Sequence, residues 1–393
     1  WSAGQPLWGR QGQPKAVPLR LAPKPVAAAA AASPAPAPAP RARAAAPASA
    51  AAAPQDNAGL VQRLEQASTD GSPFVDLQAT AAPSTKAQRR ANRKSQIAAA
   101  QDKLATMSPG QARDDLGRAT TRFAENINSV EKAQLAANVY TPEAGPPEGW
   151  KNISKDADAL RKYGLEPSDL EVPDSQFRAQ MYEPIDSVFG GDLKPVVSFK
   201  GTTPTSGQDW VNNLRQGLNM HSPYYEKAVA IGSKLDLQGA SVEITGHSLG
   251  GGMASAASRA SGLSATTFNS AGLHPSTVAK YGGVLQDSQI MAYQVDGEVL
   301  TGIQEQGIKG TLAAAGAGFL AGGPVGALVG GLAKVGLSAG MHDAVGDRRP
   351  LPSSGGNPVA RHGMDQVIAG IESQKTEDQA TLAAATGIPS LLR

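Results

Sequence analysis

The stretch 241–252 constrains the fold of this chain more than any other. It reads Ser-Val-Glu-Ile-Thr-Gly-His-Ser-Leu-Gly-Gly-Gly. Its first five residues alternate polar and β-branched side chains, as a half-buried strand does. Residues 246–250 then fit the pattern Gly-x-Ser-x-Gly, and the small residues that follow favour a helix. A strand, a sharp glycine turn and a helix form the setting in which this pattern presents a nucleophile. Ser248 is therefore the candidate nucleophile, because the helix N-terminus favours negative charge beside it.

The pattern alone has little specificity, since the chain contains 44 glycines and a second match at 336–340. The second match, centred on Ser338, follows a Gly/Ala-rich run without a strand signal before it. We therefore interpret it as a packing turn. For Ser248 the alternative is likewise a glycine-rich turn without chemistry.

The string Gly-His-Ser-Leu-Gly-Gly at 246–251 resembles the class 3 (fungal-type) lipases. This resemblance implies an α/β fold, that of an α/β-hydrolase with a central, mostly parallel sheet. Residues 199–202 (Phe-Lys-Gly-Thr), followed by Asp209-Trp210, resemble the oxyanion strand of that family, with Lys200 in place of the usual Arg. By this resemblance Thr202 supplies an N–H and a hydroxyl to an oxyanion hole, and Leu249 supplies the second N–H. The alternative for Thr202 is an ordinary turn threonine.

The predicted strand 289–295 ends at Asp296-Gly297. An α/β-hydrolase places its triad carboxylate after the serine, at the C-terminal end of a strand. Asp296 is therefore the predicted acid. Glu298 is its nearest competitor, and a plain Asp-Gly turn is the third interpretation.

The required order of serine, acid and histidine restricts the base to a histidine beyond Asp296. This order excludes three of the five histidines: His221, His247 and His274. Of the two that remain, His362 follows a Gly/Asn/Pro loop and opens a helical pattern, whereas His342 ends a glycine-rich run. His362 is therefore the predicted base, with His342 as the alternative.

Composition excludes several kinds of site. The chain contains no cysteine, so disulfides, metal thiolates and a cysteine nucleophile are excluded. The histidines lack metal-ligand spacing, and the proposed chemistry needs no cofactor, so neither metal nor cofactor is predicted. The net charge of +2 points to no particular partner.

Four regions are predicted along the chain. The Ala/Pro-rich arm 1–55 cannot bury enough apolar surface to fold, and it is either an export segment or a linker. Residues 56–144 form a polar helical segment. The α/β-hydrolase domain occupies 145–375, and 376–393 form a C-terminal tail without assigned chemistry.

A basic stripe lies within the helical segment. It consists of residues at helical spacing: Lys86, Arg89, Arg90, Arg93 and Lys94. The stripe either contacts anionic lipid headgroups or forms a solvated helix face. The lack of interleaved aromatic residues argues against a nucleic-acid partner.

A Gly/Ala-rich insert is predicted at 303–345, between the presumed acid and histidine. Its core, 310–333, carries no charge, and a glycine recurs at every fourth residue from Gly318 to Gly330. Three interpretations remain open: a close-packed internal hairpin, a mobile lid or lipid-contacting flap, and a transmembrane hairpin.

The family resemblance implies hydrolysis of a carboxylic ester in a membrane lipid, by a phospholipase A1-type or acylglycerol lipase activity. The flanking regions resemble those of bacterial lipase effectors, made in the cytoplasm and then secreted or delivered into a target cell. The implied partners are a lipid or phospholipid at a membrane surface and secretion machinery or a chaperone. Two alternatives remain: a soluble carboxylesterase or thioesterase, and a non-enzymatic effector that perturbs membranes or binds a partner.

Overall fold

The computed structural model describes residues 85–172, 175–202, 223–302, 304 and 342–388. Several predictions lie outside these residues: the arm 1–55, the Asp209-Trp210 pair, the core of the insert at 310–333, the second motif around Ser338, and the end of the tail. Contacts unite Thr80–Arg393 in one compact unit.

The described residues form a seven-stranded sheet whose strands lie in chain order. The first three strands are antiparallel neighbours, and the third to the seventh are parallel. The predicted α/β fold with a mostly parallel sheet is therefore confirmed. The strands are β1 (Trp150–Asn152), β2 (Ala179–Pro184), β3 (Val196–Phe199), β4 (Glu243–His247), β5 (Ala265–Phe268), β6 (Ile290–Val295) and β7 (Asp347–Leu351).

The long helices are α1 (Lys86–Thr106), α2 (Gln111–Asn138), α3 (Pro223–Leu237), α4 (Leu249–Ser261) and α5 (Met364–Thr386). The last four flank the sheet, and α1 packs on α2 and α5. One-turn helices lie at Pro142–Ala144, Ala157–Leu160, Arg161–Tyr163, Pro167–Leu170, Asp186–Phe189, Thr277–Lys280 and Ala360–His362. Thr85 and Gln88 form a capping box that starts α1. In the described part of the chain, no helix has both the length and the hydropathy needed to cross a bilayer.

The two faces of the sheet are covered differently. Because the parallel strands follow chain order, right-handed crossovers place their helices on one face. That face packs against α3 and α4, around side chains such as Ile244 and Met253. The opposite face packs against α2 and α5, around Phe268, Tyr293 and Ile371. Each large apolar side chain fully buried there contributes about 1.5–3 kcal/mol. Both ends of the described chain therefore cover one face of the sheet.

The predicted boundary between residues 144 and 145 lies within the compact unit, because α2 is part of the sheet's cover. The helix α5 likewise continues into the predicted tail. It reaches Thr386 and buries Leu382 against α1 and α2.

The basic stripe of α1 contacts the rest of the compact unit. Lys86 Nζ lies 2.7 Å from Glu131 Oε2. Arg90 is buried, donates to Asn128 Oδ1 over 2.7 Å and lies 5.4 Å from the centroid of the Phe189 ring. Lys94 pairs with Asp192. These contacts dock Lys86 and Arg90 on neighbouring segments, whereas the Lys94 side chain stays 49% exposed.

Candidate active site

Ser248 occupies a sharp turn between β4, which ends at His247, and α4, which begins at Leu249. Its backbone has φ 59° and ψ −127°, a conformation that costs a residue with a side chain about 1–3 kcal/mol. Glycines on either side make this turn possible. A Cβ on Gly246 would overlap the Gly250 carbonyl, and a Cβ on Gly250 would overlap the Phe199 carbonyl oxygen. The turn is the strained elbow expected around a nucleophilic serine.

The two predicted oxyanion residues lie beside this elbow. A Cβ on Gly201 would lie 3.2 Å from Ser248 Cβ, so the loop that holds Thr202 packs directly against the serine. Thr202 is buried, and its Oγ1 has no hydrogen-bond partner among the described residues. Leu249 opens α4, where the first N–H groups lack an intrahelical acceptor. The N–H of Ser248 itself is occupied, because it donates to Phe268 O over 3.0 Å.

His362 ends the one-turn helix Ala360–His362, just before α5. Its Nδ1 lies 2.6 Å from Glu298 Oε2, and both side chains are buried. The Glu298 carboxylate also accepts the N–H groups of Leu300, at 2.9 Å, and Thr301. Burial pushes the pKa of the Glu298 carboxyl upward. The hydrogen bond and charge of His362, with the N–H of Thr301, outweigh burial and hold this pKa below its ordinary value. Glu298 therefore faces the His362 ring as a carboxylate.

Asp296, the predicted acid, does not contact His362. It is exposed, and its hydrogen bonds to other described residues involve its backbone N–H and carbonyl. Asp296 and Gly297 form a turn, with Gly297 at φ 71°. The turn carries the chain back towards the sheet, so the side chain two residues later enters the interior. Of the two candidate acids, Glu298 is therefore the one whose carboxylate lies beside His362.

Two residues to which the sequence analysis gave no role hold the His362 loop. The carbonyl of His362 accepts His247 Nε2 over 2.7 Å and Asn269 Nδ2 over 3.0 Å. Asn269 Oδ1 also accepts the N–H of Val295 over 2.9 Å, and Asn269 has a positive φ of 41°. Its position just after β5 could have indicated it, because the ends of parallel strands meet at one edge of a sheet.

His247 is neutral and its tautomer is fixed by its partners. A carbonyl only accepts, so Nε2 carries the proton that His362 O receives. His247 Nδ1 lies 3.0 Å from the Tyr140 hydroxyl and is left as the acceptor. Burial, with a further contribution from His362, lowers the pKa of His247 to about 3. The sequence excluded His247 as the base, and the geometry gives it a different role, as a fixed link between the elbow and the His362 loop.

This low pKa predicts an acid-sensitive fold. The unfolded chain binds a proton at His247 below its ordinary pKa of about 6.5, whereas the folded chain does so only near 3. His247 therefore contributes stability that is present above pH 6.5 and is lost as the pH falls, at up to about 1.4 kcal/mol per pH unit. We expect wild type to lose about 2–3 kcal/mol more unfolding free energy than His247→Gln between pH 6.5 and 4.5. Urea titrations at the two pH values measure this difference.

The matched control for this measurement is His274→Gln, a change at an exposed histidine. It should lose as much unfolding free energy as wild type over the same pH interval. Equal acid losses in wild type and His247→Gln would contradict the assignment of a buried neutral imidazole.

A cleft opens beside the oxyanion loop. It is shallow, and its apolar lining residues include Phe177, Tyr224, Leu249 and Met253. Gln176, Lys200 and Thr202 contribute polar groups to the same lining. His342, the alternative base, is exposed and packs edge-on against His274 instead, with ring centroids 4.8 Å apart. Within the described ranges, no group of three or more His, Asp or Glu side chains is arranged to hold a metal.

The mostly parallel sheet and the strained serine elbow define the class of α/β-hydrolases. A family model described as a Tle-like phospholipase domain matches residues 131–354, and because this range covers more than half of the sequence, the chain belongs to that family. The matched range begins within α2. The end of this helix is therefore part of the family domain.

An extracellular phospholipase A1 of Serratia liquefaciens is 32% identical to this chain over 181 residues. The match covers 44% of this chain and 53% of the relative, so the chain spans about half of the relative's length. The predicted lipase and phospholipase family is confirmed, and with it the class of lipid-ester hydrolases to which the family belongs.

Proposed function

We propose that this chain is a serine phospholipase of the A1 type, which hydrolyses the carboxylic ester at the sn-1 position of membrane phospholipids. Ser248 is the nucleophile, His362 the general base and Glu298 the orienting carboxylate. The observation that carries this assignment is the 2.6 Å contact between His362 Nδ1 and Glu298, on a loop hydrogen-bonded to the serine elbow. The name of the Serratia relative supports the phospholipase A1 activity.

In the first half of the reaction, Ser248 Oγ attacks the ester carbonyl while His362 Nε2 takes the hydroxyl proton. Glu298 holds the Nδ1–H tautomer and stabilises the imidazolium that forms. The oxyanion of the tetrahedral intermediate accepts N–H groups from Thr202 and Leu249, and the Thr202 hydroxyl supplies a further donor. Each such donor contributes about 3–4 kcal/mol to lowering the barrier. His362 then protonates the departing glycerol oxygen, and a lysophospholipid leaves.

In the second half, a water molecule gives a proton to His362 and attacks the acyl-enzyme carbonyl at the same oxyanion site. The intermediate collapses, the proton returns to Ser248 Oγ, and a fatty acid is released. Neither half needs a metal or an organic cofactor.

The cleft beside Thr202 offers a partly apolar contact surface to the acyl chain of the substrate. Its apolar side chains include Leu249, next to the nucleophile, and Phe177 and Tyr224, whose rings stack with centroids 6.4 Å apart, beside the polar Gln176 and Lys200. An acyl chain in contact with them would have its carboxyl carbon close to Thr202 and Leu249.

The site of action is proposed from the relative and the flanking sequence. The relative is named as extracellular, which supports secretion of this chain from a bacterial cell. Delivery into a target cell, by secretion machinery and with the help of a chaperone, is the further expectation raised by the Ala/Pro-rich arm.

The proposed function is tested with phosphatidylethanolamine vesicles whose two acyl chains differ in length. We expect mass spectrometry to detect release of the sn-1 fatty acid together with the lysophospholipid that retains the sn-2 acyl chain. In parallel, a fluorophosphonate probe should form an adduct that peptide mapping locates on Ser248, because only an activated serine reacts readily with such a probe.

Other outcomes would identify the alternatives. Turnover confined to monomeric short-chain esters, without any gain at vesicles, would indicate a soluble esterase. Vesicle leakage without fatty-acid release or an adduct, in the presence of detergent as well as in its absence, would overturn the enzymatic proposal. An adduct on Ser338 would mean that the second motif holds the nucleophile.

A further inference from the structure

A chain of hydrogen bonds, buried except at the half-buried Tyr140, links the two loops that flank Ser248. It begins at the N–H of Gly201, which donates to the hydroxyl oxygen of Tyr140 over 3.1 Å. The Tyr140 hydroxyl lies 3.0 Å from His247 Nδ1, and His247 Nε2 lies 2.7 Å from the carbonyl oxygen of His362. Tyr140 lies two residues beyond the end of α2, outside the strands and loops that carry the candidate catalytic groups.

The end groups and the low pKa of His247 together give the chain of hydrogen bonds its direction. The Gly201 N–H can only donate and the His362 carbonyl can only accept, so Tyr140 accepts from Gly201 and His247 carries a proton on Nε2. Because His247 is otherwise unprotonated, its Nδ1 accepts the Tyr140 hydroxyl at 3.0 Å, and the His247 carbonyl oxygen, at 3.5 Å, is the longer alternative acceptor. Burial raises the pKa of the Tyr140 hydroxyl and lowers that of His247, so both groups stay in the required protonation state. A buried network with every member satisfied fixes its parts in one arrangement.

This chain of hydrogen bonds is a bridge between the oxyanion loop and the His362 loop. The separation of these two loops matters most for the proposed reaction. Gly201 immediately precedes Thr202, the candidate oxyanion donor, and the other end is the backbone of His362, the candidate base. The middle of the bridge, His247, immediately precedes Ser248. Displacement of a catalytic group by about 1 Å can reduce a rate about 10²-fold.

We propose that Tyr140 and His247 are positioning residues, whose hydrogen-bonded bridge holds the oxyanion loop and the His362 loop at a fixed separation around Ser248. The inference rests on the proposed function, since it assigns a role in the same reaction. Under this proposal the segment after α2 is a required part of the active site, although the Tyr140 hydroxyl contacts no reacting atom.

The test uses the full chain and p-nitrophenyl butyrate, a monomeric ester that avoids effects of membrane binding. We expect Tyr140→Phe to reduce kcat at least about tenfold and His247→Leu to reduce it about 10²-fold, with KM within about twofold of wild type because neither residue binds the substrate. His247→Gln should recover at least about tenfold in kcat over His247→Leu, since its amide can donate to His362 and accept from Tyr140.

Two controls separate positioning from general destabilisation. Tyr182→Phe removes another hydroxyl near the end of α2, one that donates to Asn138 rather than to the bridge, and it should keep wild-type kcat. The double variant Tyr140→Phe/His247→Leu should be no slower than His247→Leu alone, because both changes break the same bridge. The midpoint of the acid limb of the pH profile for kcat/KM should be the same in Tyr140→Phe and wild type.

An active wild type together with Tyr140→Phe and His247→Leu at full kcat would overturn this inference and leave the proposed function intact. Losses that multiply in the double variant, or a kcat of His247→Gln as low as that of His247→Leu, would also overturn it. If His247→Leu does not fold, the kcat values of Tyr140→Phe and His247→Gln test the inference by the same criteria. A folded wild type without turnover or Ser248 labelling would remove the proposed function and the bridge's role together.

Discussion

Replacing Ser248 with alanine is expected to reduce kcat on phospholipid vesicles by about 10⁵–10⁶-fold, while the protein stays folded. The loss is large because the remaining groups act only through the serine oxygen, and what persists is the small effect of the oxyanion donors and of substrate binding. The side chain removed is small and its Oγ has no hydrogen-bond partner among the described residues, so little stability is lost with it. Fatty-acid release measures the activity, and thermal melting measures the fold.

The chain offers a matched control for this prediction in Ser338→Ala, which alters the second Gly-x-Ser-x-Gly match. It should retain wild-type turnover. Substantial turnover by Ser248→Ala would contradict the assignment of the nucleophile, and a collapse of activity in Ser338→Ala alone would transfer that assignment to the second motif.

The second large effect is expected at the carboxylate that orients the base. Glu298→Gln should lower kcat by about 10³–10⁴-fold, because an amide no longer selects the required tautomer of His362 or stabilises the imidazolium. Asp296→Asn should leave kcat within about twofold of wild type, since Asp296 is exposed and its hydrogen bonds come from its backbone. Steady-state kinetics on p-nitrophenyl butyrate and on vesicles measure both variants.

This pair of variants also tests how the chain turns at the end of β6. The opposite ranking, with Asp296→Asn inactive and Glu298→Gln active, would restore the assignment made from the sequence. Equal and small losses in both variants would indicate that His362 works without an essential carboxylate, contrary to the proposed mechanism.

The sequence predicted the centre of the sheet well and its edges poorly. Strands β3 to β6 each contain a run of buried apolar or β-branched residues next to a turn signal, which is the pattern from which strands can be predicted. Strand β1 has three residues, and β7 reads Asp-Arg-Arg-Pro-Leu. A proline is tolerated in β7 because it is an edge strand. Neither strand carries an apolar run, so pairing with a neighbour decides their conformation.

The candidate site was predicted where local pattern determines it. The elbow around Ser248 and the position of His362 before the last helix follow from short-range signals, and the structure places both at one edge of the sheet. The choice between Asp296 and Glu298 depended on where a two-residue turn directs the next side chain. That direction is a property of the folded backbone, and the sequence supplied only the two candidates.

Contacts between distant segments could not be predicted in this way. Tyr140 meets His247 across more than a hundred residues, and Lys86 meets Glu131 across two helices. Nothing in the local sequence around Tyr140 distinguishes it from a tyrosine at the end of any amphipathic helix. The basic stripe of α1 shows the same limit, because its helical spacing predicted a face but could not identify what the face contacts.

The order of the candidate catalytic residues along the chain has a consequence for when the protein becomes active. During synthesis the nucleophile elbow leaves the ribosome first. The candidate base His362 emerges only after residues 305–341 have been made, together with α5, the helix that covers the same face of the sheet as α2. On the proposed mechanism, a growing chain therefore holds its serine without the histidine that activates it. On that mechanism, ester cleavage begins only once α5 has closed over the sheet and brought His362 to the elbow.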